Sequence, residues 1–384
     1  MSIRVVTSEA EFESLKLQWQ ELFRSNPNHT PFQSWEWNFA WWKHCGTPGQ
    51  LRLLIVEEDG RAVGIAPFCV NPRYEGAPLR HLAFISRKRA DYLDFIVAPG
   101  AEANFFREVF AFLHEHASEW PLLELRDFPE NSVNLPYLLQ AGSGSFAYLS
   151  LQRAENCATL VLPSTWEDYL ALLGKNSRRN VGRYRRHLTE KFAVSWKAPS
   201  SPEEIQGCFE DFASVYRSRW RGVHGATLFD EPRSLAFERE VCKLASEAGW
   251  YRFYLLYLDG APVAGYLGYV CNNKYYAGLL AYVPAMQKHS VGSVLIGMSV
   301  EDCIGRHFTE FDMTRGDEPY KHQWNCKLKH NYLIKLSHSR RLLTYASGIE
   351  WMRGRLVAMK SLHRLRASLR RRLVVSSGKG TGAG

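Results

Sequence analysis

Apolar and polar positions run along this chain in two periods, and the periods recur in the same order twice. Near the start, "VVTSEAEFESL" passes from a short apolar stretch through Ser8 and Glu11 into helical spacing. From Leu160, "LVLPSTWEDYLALL" does the same with Ser164 and Glu167. Each is a capping-box pattern, in which the hydroxyl caps a helix N–H and the carboxylate reaches back to the cap residue's own N–H. Next come "LLIVEEDGRAVGIAPFCV" (53–70) and "YLLYLDGAPVAGYLGYV" (254–270), where apolar runs joined by Asp-Gly predict hairpins. Last, "LLELRDFPEN" (122–131) and "TEFDMTRGDEP" (309–319) each set a short strand before a polar loop. Three signatures repeated in one order imply a duplicated domain.

The second copy reads more fully. A helix begins near Ser164, a basic helical stretch covers 176–192, and another helix lies near 202–219. After the hairpin come a strand, "KYYAGLLAYVP" (274–284), the loop "AMQKHSVG" and a helix, "SVLIGMSVEDCI". The strand 308–313, its polar loop and a last strand, "NYLIKLSH", close the unit. Antiparallel strands followed by strand–loop–helix–strand predict a mixed α/β sheet. We expect one domain over 1–150, a second over 151–345, and a basic tail over 346–384.

Composition narrows the class. At 384 residues, 46% hydrophobic and 23% charged, the chain is long enough for two globular domains. The eight cysteines never form a C-x-x-C pair and no His/Cys spacing suggests zinc, so they read as small core residues in a reducing compartment. The N-terminus has no apolar signal region, and no apolar run approaches the ~20 residues of a membrane span. A cytoplasmic protein, soluble or peripheral to the membrane, is the expectation. The net charge of +9 is concentrated: Trp351 to Leu373 holds eight Lys/Arg and no acid.

The densest chemistry lies in "FTEFDMTRGDEPYKHQW" (308–324). Arg315-Gly316-Asp317 spells a cell-adhesion motif, but adhesion needs an exported protein. Strand, loop, helix and strand after a Gly-bearing hairpin resemble the acyl-CoA core of the GNAT acyltransferases. In that superfamily the loop follows R/Q-x-x-G-x-G/A and its backbone N–H groups hold the coenzyme A pyrophosphate at a helix N-terminus. Here the loop is Gln287-Lys-His-Ser290-Val-Gly292, with Ser290 in place of the first Gly and Ser293 next. Phe311-Asp312, Gly316-Asp317-x-Pro319-Tyr320-Lys321 and Trp324 resemble a tandem-GNAT family, the acetyltransferase-like proteins of bacterial cellulose and exopolysaccharide synthesis. "PFQSWEWNFAWWKHCG" (31–46) and "ADYLDFIVAPG" (90–100) resemble its first domain, so the likeness covers roughly 1–345. Fem-type aminoacyltransferases share the double-domain plan.

The resemblance implies acetyl-CoA or another acyl-CoA as co-substrate, no metal, and acyl transfer from a thioester to an amine on an amino sugar or envelope precursor. Such transfer needs a proton acceptor, donors for the oxyanion, and a proton for the leaving thiolate. Asp317 is the first candidate base, with Glu318 behind it; Asp312, inside an apolar strand, is another, with a pKa raised by burial. Tyr320 is placed to protonate the thiolate or orient substrate, and Lys321 and Arg315 to hold a phosphate or carboxylate. The alternative is that Arg315 and Asp317 pair with each other to order the loop. Either Tyr275 or Tyr276 faces the cleft, and His224 in "SRWRGVHGATLFD" suits a substrate loop. Trp324 completes the substrate-binding set. The first half lacks a Tyr-Lys-x-x-Trp loop and is expected to be structural or substrate-shaping.

Two basic segments remain. The stretch 176–192 places Arg178, Arg179, Arg185 and Arg186 at helical spacing, a face suited to cofactor phosphates, a nucleotide-sugar, a lipid-linked substrate or RNA. In the tail, Leu356, Met359, Leu362, Leu365 or Leu369, and Leu373 form an apolar stripe between arginines, as in helices that lie on anionic membranes. Two alternatives stand beside the acyl-CoA enzyme. One is a tRNA-dependent aminoacyltransferase, although nucleic acid is the less expected partner. The other is a non-catalytic GNAT-like module of a membrane polysaccharide-synthesis complex.

Overall fold

The computed structural model describes residues 1–355, apart from Lys88 and the side chain of His224. One 13-stranded sheet runs through the molecule in the order β1-β2-β3-β4-β6-β13-β7-β12-β11-β10-β9-β8, with β5 beside β3. The first half starts with β1 (Ser2–Val6), α1 (Glu9–Ser14), α2 (Lys16–Ser25) and α3 (Trp35–Cys45). Then come β2 (Leu51–Glu58), β3 (Arg61–Asn71), β4 (His81–Phe84), β5 (Ile96–Val97) and α4 (Glu102–Glu115). It ends with β6 (Leu123–Pro129), α5 (Leu135–Ser145) and β7 (Tyr148–Val161).

Two helices, α6 (Trp166–Leu172) and α7 (Lys175–Lys191), lead into the second half. There the plan repeats: β8 (Val194–Lys197), α8 (Pro202–Gly207), α9 (Phe209–His224) and α10 (Pro232–Glu247) precede β9 (Tyr251–Leu258) and β10 (Ala261–Cys271). After these come β11 (Lys274–Tyr282), α11 (Val291–Gly305), β12 (Glu310–Arg315), α12 (Pro319–His322) and β13 (Lys327–Ser337). A C-terminal helix covers 340–355. The apolar stripe from Leu356 onward lies outside the described residues.

Local chemistry explains the repeat. Both hairpins turn on residues with positive φ, Asp59 (49°) and Gly60 (77°) in one, Asp259 (51°) and Gly260 (82°) in the other. Such turns match the right-handed twist of their strands. Each half then contains one parallel pair, β4 with β6 and β11 with β12, joined across a helix. α11 is apolar all round and buried, as a helix must be when the sheet covers one side and α7 the other.

The last strands are exchanged. β6 of the first half pairs with β13 of the second, β12 of the second pairs with β7 of the first, and β7 and β13 pair antiparallel at the centre. Residues 150 and 151 both lie inside β7. The seam is core-like, because Phe32 and Trp37 of the first half pack edge-to-face with Tyr269 of the second at 5.9 and 5.5 Å.

Two expectations need correction. Thr165, not Ser164, caps α6 and accepts from the Asp168 N–H. The counterpart of Ser8 is therefore Ser201, which caps α8 after β8 just as Ser8 caps α1 after β1. Residues 218–224 are helix rather than loop: α9 runs through Gly222 and stops only at Gly225, whose φ of 82° takes the chain out of the helix.

Candidate active site

β11 and β12 pair over three positions, the last being Tyr276 with Asp312, and then splay apart. The splay opens a cleft of about 520 Å³ bounded by α9, α11 and the loop after β12. Gly268 pairs with Ala277 and Leu267 with Leu279, so Gly278 bulges from β11 into this cleft. A bulged residue leaves the strand ladder, which makes its N–H available to something else.

The loop before α11 forms the far wall, and Gln287, Ser290, Gly292 and Ser293 all line the cleft. Ser290 sits in the left-handed region, φ 57° and ψ 31°, where Gly is at ease and other residues are strained by about 1–2 kcal/mol. The strain turns the chain into α11, whose first N–H groups have no partner within the helix. Gly292 belongs to the same surface, since a Cβ there would meet Tyr282 Cδ1 at 3.2 Å.

The loop after β12 is organised by Lys321. Its side chain is buried, and its ammonium donates to the carbonyls of Met313, Thr314, Arg315 and Gly316 at 2.8–3.3 Å. It also lies 3.1 Å from Glu318 Oε2. Gly316, at φ 108°, leaves room for the Glu318 carboxylate, which any side chain at 316 would strike. Glu318 is thus held at the cleft wall, half-exposed, beside the half-buried Tyr320. Burial first, and Glu318 second, push the Tyr320 phenol well above its ordinary pKa, so it keeps its proton.

Other expected site residues point elsewhere. Asp317 is exposed and bonds His322 Nε2 at 2.7 Å and Asn156 Nδ2 at 3.3 Å, away from the cleft. Arg315 touches the cleft but spends its guanidinium on Asp91 (2.9 Å) and Asp127 (3.0 Å) of the first half. It therefore ties the halves together instead of pairing with Asp317. Trp324 is buried against α11, its ring 3.4 Å from where a Cβ on Gly297 would sit. It lies outside this cleft and lines a separate pocket with Trp166 and Met298.

Asp312 is buried as expected, and burial pushes its carboxyl up to about 7, against the hydrogen bond from Tyr92. It faces Tyr92, whose hydroxyl lies 2.8–2.9 Å from both its oxygens, and a second cavity rather than the cleft. Tyr276 faces that cavity too, whereas Tyr275 packs on Phe311 in the core, so neither tyrosine lines the cleft. Of His224 only the backbone is described, at the end of α9; its side chain lies outside the described residues.

One wall was missed in the sequence. Tyr216, Arg219 and Trp220 line the cleft from α9 at i, i+3, i+4 spacing, which is the signal that could have found them. Arg219 lies over the rings of Tyr282 (4.5 Å) and Trp220 (4.9 Å). Among the described residues, the corresponding place in the first half is filled. Phe95 fills the corresponding splay, packing on Phe84 and Phe106 at 5.1 and 4.9 Å, and Glu102 takes the Gly100 N–H at the start of α4.

Residues 175–322 match the family described as the acetyltransferase (GNAT) domain. Among solved structures, FemX is similar at a TM-score of 0.57 and 12% identity, over 88% of this chain and 98% of that one. The C-terminal domain of a putative lysylphosphatidylglycerol synthetase from Agrobacterium fabrum gives 0.56 and 11%, over 89% and 95%. L-PGS from Bacillus licheniformis gives 0.53 and 12%, over 88% and 95%. At such identities the likeness is one of fold. No curated protein matches the chain. The second half is a GNAT acetyltransferase domain. The match to the GNAT acetyltransferase domain covers residues 175–322, and over the whole chain the likeness to FemX is one of fold.

Proposed function

We propose that this chain transfers an acyl group, acetyl in the first instance, from coenzyme A to the amine of an amino sugar in an envelope or exopolysaccharide precursor. The observation that carries this reading is one continuous cleft. It joins the Gln287–Ser293 turn, where N–H groups suit a pyrophosphate, to a proton-accepting carboxylate and a phenol at the other end. Glu318 takes the proton as the neutral amine attacks the thioester carbon. The bulged Gly278 N–H donates to the oxyanion. When the C–S bond breaks, Tyr320 supplies the proton that the thiolate needs and is re-protonated from solvent. From α9, Tyr216 and Trp220 give the acceptor side aromatic rings with polar edges, and Arg219 a cation, a mix that suits a sugar.

A second reading rests on α7. Its exposed Lys175, Arg178, Arg179, Arg183, Arg186 and Lys191 flank the same loop, which α7 reaches through His187 Nε2, 3.1 Å from His289 Nδ1. That surface suits an aminoacyl-tRNA donor as well as coenzyme A phosphates. Thiol release from acetyl-CoA in the presence of glucosamine or a lipid-linked amino sugar tests the first reading. Turnover that falls with Glu318→Gln supports it; salt-sensitive tRNA binding without thiol release favours the second.

A further inference from the structure

The C-terminal helix over 340–355 is seated by one face and leaves the other bare. Leu343 and Ala346 are buried in a cluster with Tyr74, Leu79 and Leu122 of the first half. One turn on, Glu350 accepts from Arg126 Nη2 at 2.8 Å and from Lys335 Nζ at 2.7 Å, and Arg353 pairs with Glu75. These contacts fix the rotation of the helix about its own axis, and with it what faces outward.

The outward side chains are not those of an ordinary solvated face. Tyr345, Trp351 and Met352 are 51%, 61% and 60% exposed, although side chains of this kind are usually largely buried. With the exposed Arg341 and Arg355 they share an arc of about 120° at the α-helical repeat. The Arg355 guanidinium lies over the Trp351 ring, 4.3 Å from its centroid. The other positions on that arc, Thr344 and Gly348, are small and uncharged. No acid shares the arc, and none follows Glu350 in the sequence. Counted onward at the same repeat, the sequence positions of Met359, Leu362, Leu369 and Leu373 fall in phase with it. Those four lie outside the described residues; the face over 341–355 is defined without them.

Charge decides what such a face fits. Against a second copy of itself it would set arginine opposite arginine. An anionic bilayer matches it: Tyr and Trp rings settle at the headgroup level, Met reaches the acyl boundary, and arginine meets lipid phosphate. We propose that the outer face of the helix 340–355 docks on an anionic lipid bilayer, with the helix lying in the plane of the interface. This does not depend on the acyl-CoA reading.

Vesicle flotation of the full-length protein tests it, with neutral phosphatidylcholine vesicles and with vesicles in which about a third of the lipid is phosphatidylglycerol. One variant combines Tyr345→Ser, Trp351→Ser and Met352→Ser; the other combines Arg341→Glu and Arg355→Glu. All five side chains are exposed, so both variants should keep the wild-type melting curve, and either suffices if the other fails to fold. The expected result is binding to the anionic vesicles above that to the neutral ones, with a partition coefficient lowered at least about tenfold by each variant. Anionic-vesicle binding that neither variant changes would place the contact beyond residue 355 and overturn the proposal. So would no binding to either vesicle, equal binding to both, or a face that instead takes RNA or a second copy of the chain, read by gel shift and by sedimentation.

Discussion

Asp317 and Glu318 are neighbours, yet one carboxylate reaches His322 outside the cleft and the other is pinned at its wall by Gly316 and Lys321. Glu318→Gln is expected to lower turnover about 10²–10⁴-fold while Asp317→Asn leaves it near wild type, read by steady-state thiol release. Lys321 answers a different assay. Four carbonyls share its ammonium, so Lys321→Met should destabilise the fold by about 3 kcal/mol in urea unfolding, beyond any loss of activity. Asp312 carries a pH signature. Its folded-state pKa is raised to about 7, chiefly by burial, so the native state holds a proton that the unfolded chain releases at lower pH. Stability from this group is therefore full in acid and lost as pH climbs from the ordinary carboxylate range through about 7, at about 1.4 kcal/mol per unit. Asp94 and Asp127, each pushed up to about 6 mainly by burial, act in the same direction. Asp312→Asn should flatten this slope, which urea midpoints at about pH 5 and about pH 8 will measure.

At the scale of elements, the turn into α11 is where the proposed function places the acyl-CoA phosphates. Ser290→Gly should relieve the left-handed strain, raising stability by up to about 1 kcal/mol in thermal melts without weakening acyl-CoA binding. This turn also shows what the sequence disclosed. The hairpins at 59–60 and 259–260 and the strand–loop–helix–strand unit were legible because short-range patterns determine them. The α9 wall was not, since Gly222 and Gly225 suggest a loop, and only the second ends the helix. Nor did the sequence reveal which way Asp312, Asp317 and Trp324 point. Facing there depends on the irregular register of β12, where Asp312 pairs with Thr159 but Arg315 pairs with Cys157. The capping signature at 164–167 was off by one residue, and its true homologue at Ser201 was hidden by the two inserted helices α6 and α7.

For the whole molecule, strand exchange is the governing feature, and no local pattern announces it, because a strand's partner is chosen by distant chain. Removing β13 would strip pairing from both β6 and β7. Urea unfolding monitored by Trp fluorescence and by far-UV circular dichroism should therefore give one coincident transition rather than one per half. The two splays differ: Phe95 packs into the first, between Phe84 and Phe106, and the second is open. The described residues contain no helix long and apolar enough to cross a membrane. The central claim is that this one cleft takes an acyl-CoA. Calorimetric titration of the full chain with acetyl-CoA, repeated with a longer acyl-CoA and with a Gly292→Trp variant, tests it most directly. The account predicts saturable micromolar binding at one site per chain, abolished by the variant. No heat from either acyl-CoA, or binding that survives Gly292→Trp, would contradict it.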